Sequence, residues 1–132
     1  MDLYDALMTV VEGGTLDPSL QHARWMMFLN SAEKDSLYRS DLRVTLNYNL
    51  SADYFDSYLE KAERFDSLAQ QQYVDIKTYL ADDILTKVDR MSMAHSIESR
   101  VPLLDNHVID FAATLPATLK IHNGRRKHVL KE

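Results

Sequence analysis

Cysteine is absent from this chain of 132 residues, which excludes disulfides, thiolate metal sites and a cysteine nucleophile within it. Glycine and proline number three each, so turns are few and secondary-structure elements should be long. The three glycines fit neither G-x-G-x-x-G nor G-x-x-x-x-G-K-S/T, so no glycine loop is present to cradle a phosphate. No apolar run approaches the roughly 18–20 residues of a membrane span, and no signal peptide opens the chain. The default expectation is therefore a soluble cytoplasmic protein. Fifteen basic against twenty acidic residues give a net charge of −5 and a pI near 5.5, which argues against a general nucleic-acid surface. Strand-like alternation is also scarce; only Gln71 to Ile76 invites argument. The expected fold class is mainly α.

The helical pattern starts at once. Asp2 to Glu12 carries Leu3, Leu7 and Val10/Val11 at helical spacing, and Gly13-Gly14 is expected to end that helix. Asp17-Pro18 reads as an N-cap followed by proline at the first helical position, opening a helix through about Asn30. Trp25, Met26 and Phe28 make it apolar almost all round, so it is either buried or covered by something outside the chain. Ser31 is expected to cap a short helix through Tyr38, with a second short helix or irregular link from Arg39 to Asn49. Ser51 opens a helix to about Phe65 whose Tyr54/Tyr58 and Phe55/Leu59 stripes read as core, and Ser67 starts the next.

The stretch from Tyr79 to Asp105 sets five acidic and three basic side chains in an apolar scaffold. Asp82 and Asp83 read as N-cap and first-turn acids of a helix whose one face holds Ile84, Val88, Met91 and His95. Asp83, Lys87 and Arg90 occupy the other flank. An exposed Asp–Lys pair four residues apart contributes about 0.3–0.5 kcal/mol, too little to explain so dense a set. Pro102 forces Val101 to be extended, so the helix should stop near Ser96. Glu98 and Arg100 then point to one side of an extended segment and can pair with each other or with Asp105, which also reads as the N-cap of a helix running to about Leu115, where Pro116 breaks it. Lys120 to Gly124 reads as a turn, with Arg125-Arg126-Lys127-His128 at a helix start beyond it.

The five histidines fall at no metal-ligand spacing with each other or with a carboxylate pair, so no metal site is expected. Ser92, His95 and Asp89 could be written as a triad, but no strand-turn-helix elbow surrounds the serine. The cluster at Arg125 to His128 is either a solvated face or a contact for phosphate or carboxylate. Charges kept beside a core cost several kcal/mol per ion unless well partnered, which favours a ligand or interface role for the charged set around Pro102.

From Tyr73 to Lys131 the sequence resembles the synthetase domain of the glutamine-hydrolysing asparagine synthetases. The residues that carry this are Asp75, Tyr79-Leu80, Asp82-Asp83, Leu85, Lys87-Val88-Asp89-Arg90, Ser92-Met93-Ala94, Ile97 through Asp105, Phe111, Leu115-Pro116, Lys120, Lys127 and Val129-Leu130-Lys131. The pairing of L-x-K-V-D-R with E-x-R-V-P-x-L-D is the specific part. The resemblance implies a helical bundle forming the C-terminal helical part of an α/β adenine-nucleotide α-hydrolase-like domain, with residues 1–72 an insert-like segment and 73–132 synthetase-like, one compact domain in all. It implies a parent enzyme of asparagine biosynthesis that uses ATP and Mg²⁺ to activate aspartate, and a glutaminase that supplies ammonia. The chain lacks an S-G-G-x-D-S loop and the glutaminase cysteine. It is therefore expected to be an inactive piece, with no catalytic residue or cofactor of its own and with the missing portions of its polypeptide as partners. Exposed apolar surface is expected, and with it possible self-association. Leu80, Val88, Met93, Ser99 and Val101 would line the ammonia tunnel. Lys87, Arg90 and Lys127 would support the adenylate pocket. Asp82, Asp83, Asp89, Glu98, Arg100 and Asp105 would form a structural ionic network. Two alternatives stand beside this: a family member amidating or cyclising another carboxylate, and a non-catalytic helical interaction domain.

Overall fold

The computed structural model describes residues 3, 7, 8, 10, 11, 14, 18–46 and 50–132, and the chain divides into two compact units, Met1–Glu63 and Arg64–Glu132. Both are helical. The start of the expected first helix at Asp2, its end at Glu12-Gly13 and the proposed cap Asp17 lie outside the described residues, while Gly14 is helical.

In the first unit, α1 (Pro18–Met26), α2 (Ser31–Leu37), α3 (Ser40–Thr45) and α4 (Leu50–Ala62) follow in order. The helix from Pro18 stops at Met26 rather than near Asn30, because Asn30 begins the next one. Its side chain accepts from the Glu33 N–H at 2.8 Å while Glu33 Oε2 accepts from the Asn30 N–H at 2.6 Å. That reciprocal box satisfies two free donors, so Asn30 and not Ser31 is the cap. α1 packs on α4, burying Ala23, Phe55 and Ala62. Tyr54 rests edge-on against both Phe55 and Tyr58, with ring centroids 5.5 and 5.3 Å apart. The aromatic stripe is thus core at Phe55, while Tyr54 stays partly open. Trp25 of α1 and Phe28 just beyond it are exposed, Phe28 to 96%, so the apolar surface read as continuous around this helix is buried on one side only.

The second unit is built on one long helical run. α5 (Ser67–Asp75), capped by Asp66 accepting from the Ala69 N–H at 3.0 Å, continues into a π-helical segment (Ile76–Leu85) and then α6 (Thr86–Ala94). The residues at both junctions keep right-handed helical backbone, so nothing breaks between Ser67 and Ala94. Gln71 to Ile76 is therefore helical and not strand. Asp82 and Asp83 sit inside the π segment, not at an N-terminus, so the capping role read from their type does not arise. Val74 and Thr78 are buried there, and Thr78 Oγ1 donates to the Val74 carbonyl at 2.8 Å.

α6 ends two residues before the expected stop near Ser96. Ser96 takes a left-handed backbone (φ 56°), its N–H donates to Met93 O at 3.0 Å, and the Ile97 N–H donates to Ser92 O at 2.9 Å. These two bonds close a Schellman turn on a serine, where glycine is usual. A 3₁₀ turn (Pro102–Leu104) leads to α7 (Asn106–Thr114), and Asp105 caps it as expected, accepting from the His107 N–H at 2.9 Å. Pro116 separates α7 from α8 (Ala117–Lys120). Beyond it, β1 (Ile121–His122) and β2 (Arg125–Arg126) form an antiparallel hairpin with Ile121 opposite Arg126 and His122 opposite Arg125. The expected turn is thus a two-residue hairpin loop, with Asn123 (φ 49°) and Gly124 (φ 74°) both at the positive φ a type I′ turn demands. The basic cluster opens in a strand, and α9 (His128–Lys131) starts only after it.

Candidate functional site

The candidate site is a cleft of about 650 Å³ formed where the chain folds back after α6. One wall is a helix face carrying Leu85, Val88, Asp89, Ser92 and Met93, whose spacings of three, one, three and one put them on one stripe. The other wall is Ser96, Ile97, Glu98, Ser99 and Val101, which the Schellman turn reverses onto that stripe. Pro102 then keeps Val101 extended, so the second wall cannot wind back into helix.

Four of the five residues expected on a tunnel wall line this cleft: Val88, Met93, Ser99 and Val101. Leu80, one helical stretch earlier in the π segment, does not line it. The face read from sequence, Ile84, Val88, Met91 and His95, is offset from the stripe that forms the wall; Met91 is 66% exposed. Sequence reasoning missed Leu85, Ser92, Ser96 and Ile97. The signal was present, since Leu85, Val88, Ser92 and Met93 obey the same helical period once a serine is allowed on the stripe.

Its lining mixes apolar and polar side chains. Leu85, Val88, Met93, Ile97 and Val101 are apolar, Ser92, Ser96 and Ser99 supply hydroxyls, and Asp89 and Glu98 supply carboxylates. The Ser92 hydroxyl is engaged with the Asp89 carbonyl at 3.1 Å. Glu98 Oε1 meets Arg100 Nη2 at 2.5 Å, an exposed pair and one of the two pairings their spacing allowed, the other being with Asp105.

The charged residues fall into local arrangements. Asp83 Oδ1 and Lys87 Nζ are 2.6 Å apart, four residues along the helix. That hydrogen bond, and the attraction of the carboxylate, hold the Lys87 pKa above its usual 10.5. Asp105 serves its cap, and Asp82 is exposed in the π segment. Lys87 and Arg90 lie off the cleft stripe and are exposed, and Lys127 belongs to the hairpin region. Among the described residues no group of three or more His, Asp or Glu is placed to hold a metal ion. The described residues therefore do not fit a Mg²⁺ site, and the sequence carries no phosphate loop.

These features define a helical segment with a cleft of mixed apolar and polar lining beside its E-x-R-V-P-x-L-D stretch. The asparagine synthase family model matches residues 7–132, and the chain belongs to that family. It is 40% identical over 89 residues to glutamine-hydrolyzing asparagine synthetase 1 of Bacillus subtilis, covering 65% of this chain and 14% of that protein. A putative glutamine-hydrolyzing asparagine synthetase of Mycobacterium tuberculosis is 43% identical over 74 residues, 56% of this chain and 11% of the relative. The amidase chry2 of Gibberella zeae is 32% identical over 77 residues, 53% of this chain and 12% of the relative. The chain thus spans a small part of the length of the curated relatives it matches. No solved structure matches it. No helix among the described residues is long and apolar enough to cross a membrane.

Proposed function

We propose that this chain is the helical portion of an ATP-dependent carbon–nitrogen ligase that forms an amide with nitrogen released from glutamine, and that its cleft is one wall of the passage for ammonia. The observation that carries the reading is the convergence of Val88, Met93, Ser99 and Val101 on a single cleft. Neutral ammonia travels best along an apolar surface that excludes water and offers no proton source. Asp89 and Glu98 at the same cleft offer carboxylate oxygens that can accept hydrogen bonds from ammonia.

In this reading Lys87, Arg90 and Lys127 act outside the cleft, where cations favour an anionic, phosphate-bearing intermediate. The acid amidated is aspartate, in keeping with the names of the Bacillus and Mycobacterium relatives. A second reading, another carboxylate, takes its support from the amidase name of the Gibberella relative. ATP and Mg²⁺ are used by portions of the parent polypeptide beyond these residues, and the chain alone is inactive.

The test uses a longer polypeptide that adds a glutaminase and a phosphate loop. Glutamine- and ATP-dependent amide should form from aspartate; product mass with other acids separates the second reading. Val101→Asp should lower glutamine-driven amide formation about tenfold or more while leaving the reaction with free ammonia largely intact. Equal loss with both nitrogen sources would remove the passage from the account.

A further inference from the structure

Asn123 is followed by Gly124, the neighbour whose main-chain nitrogen meets least hindrance in reaching a side-chain carboxamide. Glycine brings no Cβ to shield that nitrogen, and a methyl built there would find nothing within 4 Å beyond its chain neighbours. Both residues are exposed in the two-residue loop, at φ 49° and 74°. Among the described residues no hydrogen bond engages the Asn123 carboxamide or the Gly124 N–H.

The other asparagines lack one or more of these conditions. The Asn30 side chain is held in its cap by the Glu33 N–H at 2.8 Å. Asn106 is followed by His107, whose N–H donates to Asp105 Oδ1 at 2.9 Å, which occupies the attacking nitrogen. Asn47 and Asn49 precede Tyr48 and Leu50, whose side chains crowd that nitrogen. Arg125, Arg126 and Lys127 follow Gly124, and positive charge close by eases the loss of its amide proton. The hairpin pairs only Ile121 with Arg126 and His122 with Arg125, all exposed, so local opening is cheap.

We propose that Asn123 is a site of spontaneous deamidation, and that its isoaspartate product releases the hairpin. The Gly124 nitrogen gives its proton to solvent base and bonds to Asn123 Cγ; the Cγ–Nδ2 bond breaks, and ammonia leaves with a proton from solvent. Water then opens the cyclic imide. Entry at Cγ breaks the new bond and yields aspartate. Entry at the main-chain carbonyl of residue 123 breaks the original peptide bond, and the chain then runs through Cβ and Cγ as isoaspartate. That product carries an extra carbon in the loop, so a turn that closes on two residues no longer matches the His122–Arg125 pairing. It also sets a carboxylate beside Arg125 and Arg126. The reaction needs no amide-forming activity, so it fails or holds apart from the ligase reading.

The 132-residue chain is held in warm, mildly alkaline buffer and digested at acid pH. Mass spectrometry follows each asparagine peptide, and electron-transfer fragments separate isoaspartate from aspartate. Asn123 should convert about tenfold faster than Asn30 or Asn106, the difference that one engaged hydrogen bond makes. Conversion spread evenly over the asparagines, or absent at Asn123, overturns the site. Gly124→Ala should slow conversion about tenfold although it loosens the hairpin, because the methyl hinders the nitrogen. An unchanged or faster rate refutes attack by that nitrogen. Amide exchange at residues 121–126 should quicken in the isoaspartate product and stay slow in Asn123→Asp, which bears the charge on an unaltered main chain. A product that exchanges as slowly as the starting protein, or an Asn123→Asp chain that quickens equally, overturns release by chain lengthening.

Discussion

The groove of the first unit and the cleft of the second are both walled by aliphatic and methionine side chains, but they differ in the polar groups set among them. The groove, about 480 Å³, is lined by Met26, Met27, Phe28, Leu29 and Phe55 with the Lys34 ammonium and the Tyr54 phenol. The cleft adds two carboxylates and three hydroxyls to its apolar side chains. The surrounding charge differs as well: five basic against eleven acidic residues precede position 64, and ten against nine stand from Arg64 onward. An apolar hollow alone specifies no chemistry, since helices packing at an angle leave such grooves routinely. What marks the cleft is a backbone built to return a second wall onto the helix, with polar groups fixed in that wall.

The largest way to sharpen this contrast is in the first unit. Phe55 is its buried aromatic, so Phe55→Ala should lower stability by about 3 kcal/mol, read as a fall in the urea midpoint. A change under about 1 kcal/mol would mean the α1–α4 contact does not depend on it. In the second unit the effects expected from backbone are smaller. Gly124→Ala finds open space around the new methyl, so its cost is conformational alone, about 1 kcal/mol, visible as faster amide exchange in the hairpin.

Ser96→Gly should do the opposite, stabilising by about 0.5 kcal/mol as the Schellman turn loses its steric strain against a greater loss of chain entropy. A destabilised variant would show that the serine side chain matters to the cleft. The smallest effect belongs to Asp83→Asn. Because the Lys87 pKa is raised, the pair's contribution is complete below pH 10.5 and disappears as pH climbs through the raised value. Stability near pH 7 should therefore hardly respond to pH, while NMR titration of Lys87 should return to about its usual value in the variant. A Lys87 titration that stays raised in Asp83→Asn would point to another carboxylate.

Features governed by a few neighbouring residues were legible in advance. The Asp105 cap, the break at Pro116, the Glu98–Arg100 pair and the Asp83–Lys87 pair each depend on groups at most four positions apart, which spacing fixes. The hairpin was also written locally, in Asn123-Gly124, but a turn reading without its flanking strands left it unseen. The cap at Asn30 was hidden by Ser31 beside it, an equally good capping type.

The sequence by itself determined the mainly helical class, the family, and that Glu98 and Arg100 could pair ahead of Pro102, because composition, caps and the E-x-R-V-P-x-L-D stretch act through local sterics and hydrogen bonds. Only the tertiary structure decided that helix runs unbroken through Asp82 and Asp83 in a π register, and that Leu85, Ser92 and Ile97 join the cleft. It also decided that Lys120 meets Gln72, 48 positions away. Helical register and distant pairings are set by what packs against the backbone, and no spacing rule along the chain carries that information.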